Sequence, residues 1–338
     1  MEAQQPAASV CRERLAFIEV AQLTKRFAEV VAVDGISFDV RGGELFGFLG
    51  PNGAGKTTTI NLLTGLARLD SGTIHIDGFD CTRDPKAAQG LIGVVPDESN
   101  LYPELTGFEN LCFCAALYGM RKTERRAEAE RLLESFGLTD AAHRKFAGYS
   151  RGMKRKLTLA AGIIHKPKVL FLDEPTTGLD VVSARHIRQM ILELHSFGTT
   201  IFLTTHYIEE AEKLCERVAF IVGGAIVCSD TVGNLLQPVS TKQVMLVSVN
   251  HSASALRQSI AQALPDLNFE TVSDFELRVE STEPILVASL VRFIEDHGAH
   301  VTEARRVHPS LEDVFVRVTG VEAEALQKEK DKPKSAYE

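Results

Sequence analysis

The residues best suited to handle phosphate stand in one short run, Gly50-Pro51-Asn52-Gly53-Ala54-Gly55-Lys56-Thr57-Thr58, which fits G-x-x-x-x-G-K-[ST]. Its glycines let the backbone turn tightly enough for the N–H groups to point inward as an anion nest, reinforced by the start of a helix. In such a nest Lys56 reaches the β- and γ-phosphates of a nucleotide, the Thr57 hydroxyl can ligate Mg²⁺, and Thr58 can contact the α-phosphate side. A second run, Val169-Leu-Phe-Leu-Asp173-Glu174-Pro175, supplies carboxylates. Four apolar residues bury a strand, so Asp173 emerges at its C-terminal edge, where ligands bind in open α/β sheets, and can hold the metal directly or through water. Glu174, one residue on, is suited to polarise a water against the γ-phosphate. The chemistry these residue types point to is Mg²⁺-assisted hydrolysis of a nucleoside triphosphate.

Such groups need a rigid frame, and from Ala16 to about Leu236 the chain alternates strand-like and helix-like stretches. Glu44 to Leu49, Val169 to Asp173 and Thr200 to Thr204 read as buried strands, and Lys56 to Ala67 as a helix. Short apolar runs separated by helices imply an α/β fold with a parallel sheet covered on both faces. Gly107 to Gly137 reads as mostly helical, with the charged stretch from Arg121 to Arg131 as a solvated face. Val218 to Cys228 reads as a hairpin whose Gly223-Gly224 suits a primed turn. The pattern changes at Gln237-Pro238. Beyond it come a strand (Val244 to Val249), a helix (Ala253 to Leu264), two strands (Asn268 to Thr271, Glu276 to Val279), a helix (Pro284 to His297), a strand (His300 to Ala304) and a helical stretch from Pro309. The domains expected are a nucleotide domain over residues 15–237, with a helical subdomain at about 98–160, and a small βαββαβ domain over 238–320. Residues 1–14 and 321–338 are expected to be disordered tails.

Composition narrows the function classes. Among 338 residues, 37 Lys and Arg against 45 Asp and Glu give a net charge of −8, which argues against a nucleic-acid partner held by phosphate contacts. The longest nearly apolar run, Val218 to Cys228, is interrupted by two glycines and falls far short of the ~20 residues of a spanning helix, so no direct membrane insertion is expected. Met1-Glu-Ala-Gln-Gln-Pro lacks the basic and apolar regions of a secretory signal, which points to the cytoplasm. Cys11, Cys81, Cys112, Cys114, Cys215 and Cys228 show no C-x-x-C spacing and read as small hydrophobes rather than a metal or redox site.

With both phosphate motifs in place, the sequence resembles the nucleotide-binding subunit of an ATP-binding cassette (ABC) transporter. Tyr149-Ser150-Arg151-Gly152-Met153 is similar to the family's signature loop, Gly178-Leu-Asp180 to its D-loop, His206 to its switch histidine, and Phe27 to its adenine-stacking aromatic. The resemblance implies a P-loop NTPase ABC cassette, a mixed sheet with a helical subdomain, that binds ATP with Mg²⁺. It also implies that the phosphate loop of one subunit meets Ser150 and Gly152 of another, so that the working unit is a homodimer or heterodimer. Glu174, His206 and Lys56 are then the catalytic candidates. Asp180 would shape the facing contact, with a plain turn carboxylate as the alternative. Arg151 and Met153 depart from the family's usual Gly and Gln. Asp97, in Val94-Val-Pro-Asp-Glu98, stands where the family usually has a metal-touching glutamine. Being one methylene shorter and negatively charged, it either approaches the Mg²⁺ alongside Thr57 and Asp173 or loses the contact.

The C-terminal segment, with Pro309-Ser-Leu-Glu-Asp-Val-Phe315, is similar to the accessory domain of ABC-2 type exporter ATPases of the daunorubicin-resistance-like subfamily, where it is linked to dimerisation or regulation. That resemblance implies separate transmembrane permease subunits and a position on the cytoplasmic face of the cell membrane. A permease helix would be received between Asp97 and Tyr118, with Tyr102, Leu105 and Phe108 as contact candidates and core packing as their alternative. The alternative class, a soluble ABC ATPase acting on ribosomes or nucleic acid, fits less well with a single phosphate loop and an acidic balance.

Overall fold

A computed structural model describes residues 16–240, 243–260, 264, 267–307 and 310–320. The expected tails, Cys11 and Pro309 lie outside the described residues. In chain order the strands are β1 (Ala16–Phe27), β2 (Val30–Arg41), β3 (Leu45–Leu49), β4 (Ser71–Ile76), β5 (Phe79–Asp80), β6 (Ile92–Val95), β7 (Val169–Asp173), β8 (Thr200–Thr205), β9 (Arg217–Val222), β10 (Ala225–Thr231), β11 (Gln243–Val249), β12 (Asn268–Ser273), β13 (Glu276–Ser281) and β14 (Val301–Val307). They form three sheets in two compact units, which divide between Asp230 and Thr231.

In the first unit the apolar runs become the inner strands of a six-stranded sheet ordered β10-β9-β3-β8-β7-β6. The pairs β3–β8, β3–β9, β6–β7 and β7–β8 are parallel. Every residue of β3, β7 and β8 is buried, as strands covered on both faces must be. Beneath them the rings of Phe38, Phe46, Phe48, Phe171 and Phe202 pack with centroids 5.5 to 5.9 Å apart. Gly223 (φ 57) and Gly224 (φ 85) join β9 to β10, and both left-handed conformations are what a two-residue primed turn needs. A second sheet, β2-β1-β4-β5, is antiparallel. Its β1–β2 register shifts repeatedly, between Ala16 and Ile18 and again between Val20 and Arg26, which blurs the period of two in the sequence.

Helices Gly107–Leu117, Lys122–Ser135 and Arg151–Ile163 build the helical portion. The first is opened by a capping box between Thr106 and Glu109. The helix after the phosphate loop runs Lys56–Leu63 and stops short of the expected Ala67. Its end is set where the Thr64 hydroxyl donates to the Ile60 carbonyl (2.8 Å) and Gly65 turns left-handed at φ 75.

The second unit, Thr231–Val321, begins ahead of the composition shift at Gln237-Pro238, because the helix Val232–Ser240 goes with it. Its sheet, β12-β13-β11-β14, is antiparallel throughout. With helices Ala253–Ile260 and Val287–Asp296 this is the split βαβ arrangement of a ferredoxin-like fold. Met245, Val247, Leu277 and Val279 alternate inward along the central strands onto Phe269, Ile260, Leu290 and Ile294. A last helix, Leu311–Thr319, is capped by Ser310 and Asp313. Among the described residues no helix is long and apolar enough to cross a membrane.

Candidate active site

The phosphate loop leaves β3 and turns into the helix at Lys56 with Gly53 at φ 78 and Gly55 at φ 106. A Cβ on Gly55 would stand 2.4 Å from the Ala32 carbonyl, and one on Gly50 2.1 Å from that of Ile221, so both positions admit only glycine. Ala54 is buried beneath the loop, whereas Asn52, Gly53 and Thr57 face solvent and Pro51 and Thr58 are half-buried. Lys56 is buried, and its Nζ donates to the carbonyls of Gly50 (2.8 Å) and Pro51 (3.2 Å).

The second motif meets the first at the end of β7. Asp173 is clamped by two hydroxyls, Thr57 donating to Oδ2 (2.8 Å) and Thr204 to Oδ1 (2.5 Å). The next residue, Glu174, sits in the left-handed region at φ 47, a conformation that costs a non-glycine residue about 1–2 kcal/mol. That turn aims its buried carboxylate into the loop: Oε2 meets His206 Nδ1 at 2.9 Å and accepts from the Thr177 hydroxyl at 3.0 Å. Oε1 forms an ion pair with Lys56 Nζ at 3.2 Å. Burial alone would raise the Glu174 pKa. The His206 hydrogen bond and the Lys56 charge outweigh it and hold the carboxyl below its ordinary value. The hydrogen bond to Glu174 engages Nδ1 of His206, and the ring packs on Tyr207 with centroids 4.1 Å apart.

The donor set fits Mg²⁺. Thr57 Oγ1 and Asp173 Oδ2, already in contact, offer two hard oxygens at one point, and no group of three or more His, Cys, Asp or Glu that could cage a metal occurs among the described residues. Few protein ligands, with the rest supplied by water and phosphate, is the usual arrangement for this ion.

The remaining sequence candidates fall into three places. Ser150 is exposed and caps the helix Arg151–Ile163, accepting from the Met153 N–H at 3.3 Å, while Gly152 is buried with no room for a Cβ, which would meet Ser183 Oγ at 2.5 Å. Asp180 caps the helix Val181–Ser196 through Ser183 (2.9 and 2.6 Å), so a structural role is filled within the one chain. Phe27, at the end of β1, is 52% exposed with Lys25 Nζ 5.2 Å from its ring centre, a face open to stacking. Asp97 is half-buried and lines a cleft of about 450 Å³ with Glu98, Arg151, Lys154, Arg155 and Thr177. Of the surface candidates, Tyr102 is 49% exposed and Leu105 half-buried, but Phe108 is buried, with Arg126 over its ring at 5.0 Å. Phe108 therefore belongs to the core, and the exposed apolar groups of this region are Tyr102, Phe113, Leu117 and Tyr118.

Comparison with known proteins decides the family. A profile described as "ABC transporter" matches residues 33–177. The linearmycin resistance ATP-binding protein LnrL of Bacillus subtilis is 35% identical over 306 residues, covering 90% of this chain and 98% of that protein. The Nod factor export ATP-binding protein I of Paraburkholderia xenovorans is 37% identical over 91% of this chain and 98% of its own length. The chain belongs to the ATP-binding subunits of ABC transporters. Among solved structures, an ATP-binding subunit of an ABC transporter superposes with a TM-score of 0.61 at 28% identity, over 66% of this chain and 93% of its own. The dimeric ATP-binding cassette MJ0796 bound to ADP and Pi gives 0.59 at 25% identity, over 64% and 98%.

As an ABC ATPase, the chain binds and hydrolyses ATP, and the fold is that of the P-loop NTPase cassettes. Sequence reasoning missed two supports of this site. Thr204, the second clamp on Asp173, lay in plain view beside His206 but reads as an ordinary strand residue. The other is Arg155, buried one turn beyond Ser150, whose guanidinium donates to the carbonyls of Pro96, Asp97 (3.1 Å), Asp173 (2.7 Å), Glu174 (2.8 Å) and Pro175 (2.7 Å). The one available signal was a charge on the otherwise apolar face of its helix.

Proposed function

We propose that the chain is the energy-coupling subunit of an exporter, hydrolysing ATP with Mg²⁺ as a dimer on the cytoplasmic face of a membrane beneath separate permease subunits. The observation that carries this reading is the buried Glu174 carboxylate, one oxygen paired with Lys56 and the other with His206, and its pKa held below the ordinary value by both. A triphosphate entering the loop competes with Glu174 for Lys56 Nζ, so nucleotide binding frees the carboxylate to accept a proton from water. Thr57 and Asp173 would hold Mg²⁺, which when bound neutralises charge on the phosphate oxygens. His206 reads the γ-phosphate, and its departure changes the partner of the ring. Asp97 joins the metal set only through a shift of its loop toward Asp173. Ser150 and Gly152, at the start of a helix, would meet the partner's γ-phosphate. The dimeric solved relative and the export and resistance functions in the relatives' names support the coupling and its direction. The exposed Tyr102, Phe113, Leu117 and Tyr118 are the surface offered to a permease. Residues 231–320 serve dimer contact or regulation.

The test is Glu174→Gln in the presence of ATP and Mg²⁺. Turnover should fall by about 100-fold or more, the scale of a general base, while nucleotide stays bound and a dimer accumulates on size exclusion. Parent-like hydrolysis in this variant would overturn the assignment.

A further inference from the structure

The helix Arg151–Ile163 buries a single charged side chain among apolar ones, Arg155. A guanidinium has five N–H donors, and each here has its acceptor: Nε on Pro175 O, Nη1 on Pro96 O and Asp97 O, Nη2 on Asp173 O and Glu174 O. All five acceptors are main-chain carbonyls, so the contact reads backbone position rather than charge. They come from two distant segments, the loop after β6 and the turn after β7, and three belong to consecutive residues centred on Glu174. That residue is held in the left-handed region, where a side chain persists only when its surroundings over-determine it.

We propose that Arg155 is a positioning residue for Glu174: its fork pins the carbonyls on either side of the strained turn, and ties that turn to the Pro96-Asp97 loop and to the helix that starts at Ser150. Any movement of this helix or of the loop is thereby transmitted to the Glu174 carboxylate. The inference rests on the reading of Glu174 as the base. A lysine at this site keeps the charge but has three donors on a point-like head and cannot span both segments.

The experiment compares Arg155→Lys, Glu174→Gln and the two combined, in the purified full-length protein. Melting temperature, equilibrium binding of trinitrophenyl-ATP and steady-state hydrolysis are measured for each. Misplacement of a reacting group by about 1 Å costs about 100-fold, so Arg155→Lys should lose about 30- to 100-fold in kcat with KM and nucleotide affinity within about three-fold of the parent. Because the effect passes through Glu174, adding Arg155→Lys to Glu174→Gln should change the residual rate by less than about two-fold. A kcat for Arg155→Lys close to the parent's overturns the proposal, as does a multiplicative loss in the combined variant. If Arg155→Lys does not fold, Arg155→Gln is measured in the same way, and failure of both to fold assigns Arg155 to the core and overturns the proposal too. Parent-like turnover by Glu174→Gln alone would instead strike down the underlying reading of the base.

Discussion

The two units bury different things. The first hides Glu44, Lys56, Glu128, Arg155, Asp173 and Glu174, whereas the described residues of the second hide no charged side chain, and only Ser281 among polar ones. A buried charge costs several kcal/mol unless it is paired and hydrogen-bonded. The first unit meets that cost chiefly around the phosphate loop, with Lys56 against Glu174, Asp173 under two hydroxyls and Arg155 among five carbonyls. In the second, the central strands β11 and β13 alternate over one apolar core. The contrast lies in what is buried, charge around the phosphate loop in the first unit and apolar side chains in the described residues of the second.

The same substitution in both units is the most forceful way to break this contrast. Gly55→Ala puts a Cβ against the Ala32 carbonyl at φ 106 and should cost ATP affinity about 100-fold, or ~2.7 kcal/mol. Gly298→Ala is equally left-handed at φ 91 but meets open space, so it should cost only the conformational penalty of about 1–2 kcal/mol in stability and leave ATP binding alone. Isothermal titration and thermal unfolding on both variants check this; parent-like ATP binding by Gly55→Ala would remove the loop from the site. A milder probe is Leu277→Ala in the fully buried core of the second unit, expected to lower stability by about 2–5 kcal/mol. If the units keep their work apart, ATP affinity in that variant stays within about two-fold, and a larger drop would show that the core of one supports the loop of the other.

What could be read from the sequence follows the same division. The phosphate loop and the Asp173-Glu174 pair are contiguous motifs, and β11 and β13 of the second unit declare themselves by a period of two. The sheet of β1, β2 and β4 was harder to see because register shifts break that period. The Lys56 helix looked longer because the apolar pattern runs past Thr64, while its end is decided by a left-handed Gly65. Phe108 reads as a surface candidate in the sequence because periodicity does not say which side of its helix faces the core, and the structure buries it. Arg155 escaped because its partners are carbonyls of residues 96, 97 and 173 to 175. Every residue type carries a carbonyl, so no pairing of side chains in the sequence announces the contact.

Not every buried polar group in the first unit serves the reaction, and His165 provides the smallest and finest test of that. Its Nε2 lies 2.9 Å from the Ile92 carbonyl, its ring stacks on Tyr118 at 3.5 Å between centroids, and its buried Nδ1 has no hydrogen-bond partner among the described residues. With Nε2 donating to the carbonyl, a second proton would have to sit on Nδ1 facing no acceptor. Burial thus lowers the pKa below the ordinary 6.5, against a smaller opposing effect of the Ile92 hydrogen bond. The unfolded chain then binds the proton more readily than the folded one, so the stability gained from a neutral ring is full above 6.5 and is lost as pH falls toward the folded-state value. His165→Gln keeps a donor for Ile92 but does not titrate. Between about pH 7.5 and 5.5 the melting temperature should therefore fall less in that variant than in the parent, while ATP turnover at the higher pH is unchanged. Equal slopes would mean that the folded and unfolded chains bind the proton equally well, so that burial does not depress the His165 pKa. A loss of turnover would mean that the functional network of the first unit reaches beyond the groups that touch the phosphate loop.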